Sequence, residues 1–302
     1  MKNESTAEKA TQRQDFFLAV GPPKTGTTWL YAQLQKHTDI FLTSDKEVRY
    51  FWSKKDLGDA SLWKRLTNQH WHYREKRGYF RRKLVQYVIR LLHGNTNTDQ
   101  IRWDFKYLFG KQSDDWYLSL FRADRLSGDI SPKYSELGEE SIAEIHQLLP
   151  QAKILISLRD PVERDWSRAK MNLLKKRGRS SHTQVGKGDF MAHFSQGGQH
   201  QANDYAALVK RWRKFYGENV FVFFFEQISE DPVGLLNEIC DFLGCTRLEG
   251  INATEKVNEG LAEGLPAYYR DALFDLNRCY LEEMVDFFPE HYPHDWVERY
   301  SQ

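Results

Sequence analysis

Short apolar runs alternate with amphipathic stretches along most of the chain. Phe16–Val20 is apolar at every position and is followed by Gly-Pro-Pro, a pattern typical of a strand buried on both faces of a parallel sheet. Three more apolar runs predict strands at residues 40–42, 153–158 and 220–225. Amphipathic stretches predict helices at residues 27–36, 141–149, 205–215 and 231–243. The alternation predicts an α/β fold in three layers, α/β/α, around a central and mostly parallel sheet.

Two segments interrupt this alternation. Residues 53–128 are rich in Trp, Tyr, Lys and Arg, and residues 178–203 are rich in Gly, Ser, His and Gln. Both are predicted to be insertions on a single domain that covers residues 15–302, where loops specific to a substrate usually lie. Residues 1–14 are polar and are predicted to form a disordered tail.

The composition of the chain argues against several classes of protein. The chain has 43 Lys and Arg against 42 Asp and Glu, a net charge of +1, so general nucleic-acid binding is not expected. Cys240, Cys245 and Cys279 have neither the number nor the spacing of a structural zinc site, and no metal is expected. No run approaches the ~18 apolar residues of a transmembrane segment, and the polar N-terminus is not a signal peptide. The prediction is a cytoplasmic protein, whose oligomeric state the sequence leaves open.

The loop after the first predicted strand has the composition of an anion-binding turn. Its backbone N–H groups and the start of the next helix attract negative charge, and the Thr27 and Thr28 hydroxyls add donors. Gly21 and Gly26 have the spacing of an ATP-binding loop, but Thr27 stands where that loop has lysine. The lysine, Lys24, precedes the second glycine instead. The loop therefore suits a single 5′-phosphate better than a triphosphate.

The segment Pro23–Leu30 resembles the 5′-phosphosulfate loop of the sulfotransferases that use 3′-phosphoadenosine 5′-phosphosulfate (PAPS). This resemblance implies a P-loop-like sulfotransferase fold, PAPS as the donor, 3′,5′-diphosphoadenosine (PAP) as the product, and no metal. It implies adenine stacking on Trp29. It also implies donor contacts from the loop residues Lys24, Thr25, Gly26, Thr27 and Thr28.

A second anion site is predicted after the strand at residues 153–158. Arg159 follows the carboxyl end of that strand, and Asp160-Pro161 begins a helix that places Ser167 about two turns later. The segment resembles the motif R-D-P-x-E-R-x-x-S of the glycan-directed branch, which implies that Arg159 and Ser167 hold the 3′-phosphate. A weaker resemblance implies that a later segment closes over the nucleotide through Lys256, Asn258 and Gly260.

The catalytic groups are predicted just after the second strand. Lys46-Glu47-Val48-Arg49-Tyr50-Phe51 resembles the K-E-x-H-[FY]-F element of heparan-type and several bacterial sulfotransferases. The resemblance implies that Glu47 is the general base and that Lys46, with Lys24, polarises the sulfuryl group. Arg49 stands where the family often has histidine, and it is expected to meet an anionic acceptor. His193 and His200 remain alternative bases.

Two further segments bear on the acceptor. Asp129–Tyr134 resembles the E-K-[ST]-P-x-Y element of the glycan-directed branch, which implies that Ser131 and Tyr134 line the acceptor side. Residues 61–95 carry nine Lys and Arg against one acid, interleaved with aromatic residues. This segment is a solvated helical insertion, an acceptor platform or a membrane-docking surface, and the sequence leaves all three open.

The sequence therefore predicts a sulfotransferase that moves a sulfuryl group from PAPS to an acceptor hydroxyl by in-line displacement. The acceptor is a saccharide or another small-molecule alcohol, and the sequence does not identify it. The alternatives are a P-loop nucleotide kinase-like enzyme and a catalytically dead module that binds polyanions.

Overall fold

Five parallel strands form one sheet in the computed structural model. It describes residues 15–57, 62–67, 74–92, 98–174, 178–195, 201–248, 250, 253, 264–288 and 292–300. The strands are β1 (Phe16–Ala19), β2 (Ile40–Leu42), β3 (Leu126–Ile130), β4 (Lys153–Leu158) and β5 (Val220–Phe224). Their order is β2-β3-β1-β4-β5, and each neighbouring pair is parallel. The predicted parallel sheet is confirmed.

Helices connect the strands and cover the sheet. They are α1 (Thr27–Leu34), α2 (Tyr50–Leu57), α3 (Leu62–Thr67), α4 (Arg74–Leu92), α5 (Thr98–Phe109), α6 (Asp114–Ser119), α7 (Glu139–Leu148), α8 (Pro161–Ala169), α9 (Lys187–Phe194), α10 (Tyr205–Tyr216), α11 (Gln227–Glu230), α12 (Pro232–Leu243), α13 (Ala267–Phe287) and α14 (Pro293–Tyr300). A π-helical turn (Lys170–Leu174) extends α8, and short 3₁₀ turns lie at Pro132–Glu136, His182–Gln184, Gln201–Asn203 and Gly217–Asn219. The four amphipathic stretches correspond to α1, α7, α10 and α12. Within the described residues, every helix is too short or too polar to cross a bilayer.

Both faces of the sheet are buried, as the continuous apolar runs predicted. Phe16 and Leu18 point into one hydrophobic cluster, whereas Phe17 and Ala19 point into a second one. The first cluster includes apolar residues of α7, α8, α10 and α13, and the second includes those of α1 and α12. Because side chains alternate between the faces of a strand, the sheet is the middle of three layers.

Strand β3 is absent from the sequence prediction. Its sequence, Leu-Ser-Gly-Asp-Ile, lacks an apolar run, yet its last four residues are buried. Gly128 is required there because a Cβ atom would lie 2.1 Å from the Phe17 ring on the neighbouring strand. The strand begins at Leu126, inside the predicted insertion of residues 53–128. The rest of that insertion, where described, contains most of α2 and helices α3 to α6, and residues 178–203 contain α9.

The carboxyl ends of all five strands lie at one edge of the sheet. The loop of residues 20–26 follows β1, and the loop of residues 43–49 follows β2. Ser131 follows β3, Arg159 follows β4, and Phe225 follows β5. The chain winds to both sides of β1, and this edge is where doubly wound sheets bind ligands.

Candidate active site

The loop after β1 ends in a helix N-terminus that no side chain caps. Gly26 is the N-cap residue of α1 and has a left-handed backbone, with φ of 91°. A Cβ atom there would lie 2.4 Å from Ile228 Cδ1, so a larger residue would also have to displace that side chain. The first N–H groups of a helix have no intrahelical acceptors, and together with the helix dipole they favour an anion. The backbone at the end of the predicted phosphate loop is thus suited to an anion.

The hydroxyl of Thr25 holds this loop against the sheet. It donates to the Pro22 carbonyl over 2.7 Å and lies 2.6 Å from Ser157 Oγ on β4. The side chain is fully buried. The Thr25 side chain is thus already hydrogen-bonded within the protein, and the predicted contact of Thr25 with the donor stays a prediction.

Lys46 joins the loop after β2 to the N-terminus of α1. Its Nζ donates to Thr27 Oγ1 over 2.9 Å and to Thr28 Oγ1 over 3.0 Å. Burial lowers the pKa of Lys46 to about 8, and the nearby charges of Arg49 and Lys24 act in the same direction, whereas Glu47 opposes them. Positive charge is thus gathered at the start of α1, and a bound anion would relieve its mutual repulsion.

The Glu47 carboxylate lies beside these cations. Arg49 donates to Glu47 Oε2 through Nε over 2.7 Å and also through Nη2, so two guanidinium N–H groups bind the same carboxylate oxygen. The other oxygen, Oε1, lies 3.8 Å from Lys46 Nζ. In the structure the Arg49 side chain pairs with Glu47, and its expected contact with an anionic acceptor stays a prediction.

Ser131 and Tyr134 lie next to the loop of residues 43–49, which we call the catalytic loop because it carries the predicted catalytic residues Lys46 and Glu47. Ser131 and Tyr134 are both fully buried, so neither side chain is open to an acceptor in this structure. Ser131 Oγ accepts from the Arg49 backbone N–H over 3.2 Å and donates to Asp129 Oδ1 over 2.7 Å. Tyr134 and Tyr117 both donate to Asp129 Oδ2, over 2.8 and 3.1 Å. Burial raises the pKa of Asp129, and these hydroxyl donors oppose that rise.

Arg159 reaches the phosphate loop from β4. Its Nη1 donates to the Lys24 carbonyl over 3.4 Å, and its guanidinium carbon lies 4.3 Å above the centre of the Phe225 ring. Glu163 lies 3.6 Å from its Nη2. The structure thus brings the second predicted anion site next to the first. Ser167 lies two turns into α8 and is partly exposed.

Contacts that the sequence did not indicate hold the start of α8. Asp160 caps α8 by accepting from the Val162 N–H over 2.9 Å. From the C-terminal helix α14, Tyr300 donates to Asp160 Oδ2 over 2.5 Å and Arg299 over 3.1 Å. Burial raises the pKa of Asp160 to about 6. Asp160-Pro161 signalled the helix start, but its partners lie about 140 residues away.

Several predicted residues lie apart from this cluster or outside the described residues. Trp29 is buried on α1 and donates its indole N–H to the Ala253 carbonyl over 3.0 Å. His193 is buried on α9, beside Phe194. The remaining predicted residues, Lys256, Asn258, Gly260 and the alternative base His200, lie outside the described residues.

One group of potential metal ligands lies away from the two loops. His37, Cys240 and Cys245 bring their ligand atoms within 4.8 Å of one another, which their sequence spacing did not indicate. His37 Nδ1 accepts from the Asp39 N–H over 3.0 Å, and Nε2 lies 2.6 Å from the Thr246 carbonyl, which can only accept. Both ring nitrogens of His37 are therefore hydrogen-bonded to the backbone, as in a histidine that has a structural role.

Comparison with known proteins identifies the family. The profile described as the sulfotransferase family matches residues 17–249. A sulfotransferase from Alicyclobacillus acidocaldarius is 21% identical with a TM-score of 0.58, over 94% of this chain and 99% of that one. The sulfotransferase domain of the Synechococcus PCC 7002 olefin synthase is 17% identical with a TM-score of 0.52, over 89% of this chain and 94% of that one. No curated protein matches the sequence.

The family profile spans β2 to β5 and nearly all of β1, together with the loops that carry Lys24, Lys46, Glu47 and Arg159. The structural similarities independently show the same fold. The resemblance noted in the sequence is thus confirmed, and the kinase-like alternative is set aside. The chain belongs to the sulfotransferase family and is a sulfotransferase.

Proposed function

We propose that the enzyme transfers the sulfuryl group of PAPS to the hydroxyl of a saccharide or another small-molecule alcohol and releases PAP. One observation carries this proposal. Lys46 contacts both hydroxyls at the start of α1, and the next residue is the carboxylate Glu47. An anion-binding site and a proton acceptor therefore meet at one place, which transfer of a sulfuryl group to an alcohol requires.

The polar groups around the two loops fit the charges of PAPS. Lys24, Lys46, the hydroxyls of Thr27 and Thr28, and the N-terminus of α1 suit the 5′-phosphosulfate. The position of Arg159 beside the Lys24 carbonyl supports its assignment, with Ser167, to the 3′-phosphate. When bound, PAPS supplies the activated sulfuryl group.

The remaining donor contacts stay predictions from the resemblance: Trp29 against adenine, and Lys256, Asn258 and Gly260 over the nucleotide. We expect no metal, because the cations of the chain can balance the charge on the leaving phosphate.

Glu47 is proposed to take the proton of the acceptor hydroxyl. The Arg49 guanidinium holds Oε2 of the Glu47 carboxylate, and this contact orients the other oxygen, Oε1. Lys46, between the carboxylate and the start of α1, stabilises negative charge that develops on the leaving group. Ser131 and Tyr134 are assigned to positioning, because their hydrogen bonds with Asp129 and the Arg49 backbone hold the loop.

Glu47→Gln tests the role of the base. We expect kcat to fall ~10²–10⁴-fold, the range for loss of a general base, with PAP affinity unchanged or higher because a negative charge is removed. Transfer of labelled sulfate from PAPS to a panel of saccharides, phenols and other alcohols gives the rate. Glu218→Gln, at an exposed position away from the loops, is the control. Turnover of Glu47→Gln within about threefold of the parent would remove Glu47 from the mechanism.

Arg159→Ala tests the donor assignment separately from the chemistry. We expect PAP binding to weaken by ~2–5 kcal/mol, through loss of a charge-assisted contact, and 5′-AMP binding to change little. Calorimetry with both ligands measures the difference. Equal weakening for the two ligands would show that Arg159 does not recognise the 3′-phosphate. Greater stabilisation by ATP with Mg²⁺ than by PAP would contradict the choice of donor.

A further inference from the structure

Bulky apolar side chains are exposed mainly on one pair of helices. In the described part of the chain, seven of the ten large exposed hydrophobic residues lie on α4 and α5. They are Val85, Val88, Ile89, Leu91 and Leu92 on α4, and Phe105 and Phe109 on α5. We call this surface the α4–α5 face. Exposed apolar residues that cluster in this way mark an interaction surface, whereas single ones do not.

The apolar residues of α4 form a stripe with helical spacing. Val85, Val88, Ile89 and Leu92 occupy positions i, i+3, i+4 and i+7, which places them on one side of the helix. Leu92 is 79% exposed. The opposite side of the helix is packed, since the Phe80 ring contacts Tyr107 and the Tyr87 ring contacts Phe109. The stripe therefore lies on the exposed side of a helix whose other side packs against α5.

Positive charge accompanies the stripe. Helix α4 contains seven Lys and Arg and a single acid, Glu75, although the whole chain has a net charge of only +1. Arg81 and Arg82 are exposed one turn before the stripe, and Arg102 and Lys106 are exposed on α5. Apolar side chains flanked by arginine and lysine are complementary to the acyl chains and anionic head groups of a lipid surface.

The α4–α5 face is tied to the catalytic loop. Lys83, on the packed side of α4, forms an ion pair of 2.5 Å with Asp45. Gln100 on α5 donates to Ser44 Oγ over 2.8 Å. Ser44 and Asp45 directly precede Lys46 in the sequence. These two contacts therefore connect helices α4 and α5 to the loop that carries Lys46 and Glu47.

We propose that the α4–α5 face docks the enzyme on an anionic lipid surface, with α4 lying in the plane of the interface. The apolar stripe enters the boundary between head groups and acyl chains, and the exposed arginines contact the head groups. The catalytic loop is then held near the interface through Asp45 and Ser44. The inference concerns where the enzyme binds, and it does not depend on the donor or on the role of Glu47.

Sedimentation of the full chain with vesicles tests this proposal. We expect the protein to pellet with phosphatidylcholine vesicles that contain phosphatidylglycerol, to stay in solution with phosphatidylcholine alone, and to be released by salt. Ile89→Asp should lower binding at least about tenfold. Val233→Asp is the matched control, because Val233 on α12 is also 47% exposed, and it should leave binding unchanged.

The charge contribution is tested by Arg81→Gln combined with Arg82→Gln, which should lower binding roughly thirtyfold. Arg213→Gln combined with Lys214→Gln, which removes an adjacent exposed pair on α10, is the control. Thermal melting with and without PAP verifies that each variant is folded. The proposal is overturned if the parent protein does not pellet, if it pellets equally without anionic lipid, or if the controls lose as much binding. It is also overturned if the parent is a dimer that Ile89→Asp dissociates, since a second copy would then cover the face.

Discussion

Replacing Lys46 with methionine should stabilise the free protein while weakening its binding of PAP. The Lys46 side chain is only 17% exposed, and burial lowers its pKa to about 8 from the usual 10.5. Each pKa unit corresponds to ~1.4 kcal/mol, so carrying the charge at neutral pH costs about 3 kcal/mol at most. Methionine cannot form the two hydrogen bonds that Lys46 donates to Thr27 and Thr28, and each loss lowers the stability by ~0.5–1.5 kcal/mol. The expected net gain in the free energy of unfolding is about 1 kcal/mol.

The same pKa makes donor binding depend on pH. Because the folded pKa is below the unfolded one, the unfolded chain binds more protons between about pH 8 and pH 10.5. The contribution of Lys46 to stability therefore rises with pH across that window, and Lys46→Met should lack this rise. A bound anion restores the charge, so PAP binding should take up about half a proton at pH 8 and nearly one at about pH 9. PAP affinity should fall about tenfold from pH 7 to pH 9.

Denaturant unfolding measures the stability, and calorimetry in buffers of different ionisation enthalpy measures the proton uptake. Lys210→Met, at an exposed lysine on α10, is the control; it should change the stability by no more than about 0.5 kcal/mol and leave the proton uptake unchanged. The argument fails if Lys46→Met is clearly less stable than the parent protein. It also fails if PAP binds the variant with unchanged affinity, or if binding at about pH 9 takes up no proton.

Two substitutions test the supports of the site. Gly26→Ala should cost about 2–4 kcal/mol and impair PAP binding, because φ is 91° and the new Cβ would lie 2.4 Å from Ile228 Cδ1. Gly178→Ala, with φ of 67° and no described atom within 4 Å, should cost only about 1–2 kcal/mol, and equal losses in denaturant unfolding would contradict the clash. Tyr300→Phe removes the 2.5 Å hydrogen bond to Asp160 and should cost ~1–3 kcal/mol. Folding raises the pKa of Asp160 to about 6, so its contribution to stability declines as the pH rises from about 4 through 6. The Tyr300 hydroxyl stabilises the charged form of the Asp160 carboxyl more than its neutral form. The loss of stability in Tyr300→Phe should therefore be larger at about pH 8 than at about pH 5. A loss that does not depend on pH would contradict this role of Tyr300.

The sequence predicted the elements whose signals are local. The runs at residues 153–158 and 220–225 are mostly apolar, because β4 and β5 are covered by helices on both faces. The glycines, lysine and threonines of the phosphate loop lie within eight residues, so their spacing could be read directly. Strand β3 escaped prediction because Gly128 makes room for Phe17, and because Asp129 is buried among hydroxyl donors supplied by other segments.

The contacts that orient the site come from tertiary structure and from backbone conformation. No sequence pattern connects Tyr300 with Asp160 across about 140 residues. The pairing of Arg49 with Glu47 involves neighbours in sequence, but it depends on a left-handed backbone at both residues, which their identities do not favour. The sequence accordingly predicted which residues belong to the candidate site, but it could not show which of them restrain the others.

Backbone strain in the described chain is concentrated in the same two loops. The non-glycine residues with positive φ there are Lys24, Glu47 and Arg49, at 78°, 73° and 56°. Each left-handed residue costs roughly 1–2 kcal/mol, so such conformations persist only where the surroundings enforce them. Arg159 donates to the carbonyl of Lys24, and buried Ser131 accepts from the N–H of Arg49. The strained loops thus hold cations and a carboxylate in place before any ligand arrives. Because such groups need not reorganise as charge develops, the strain and the lowered pKa of Lys46 both fit the proposed site for an anionic donor.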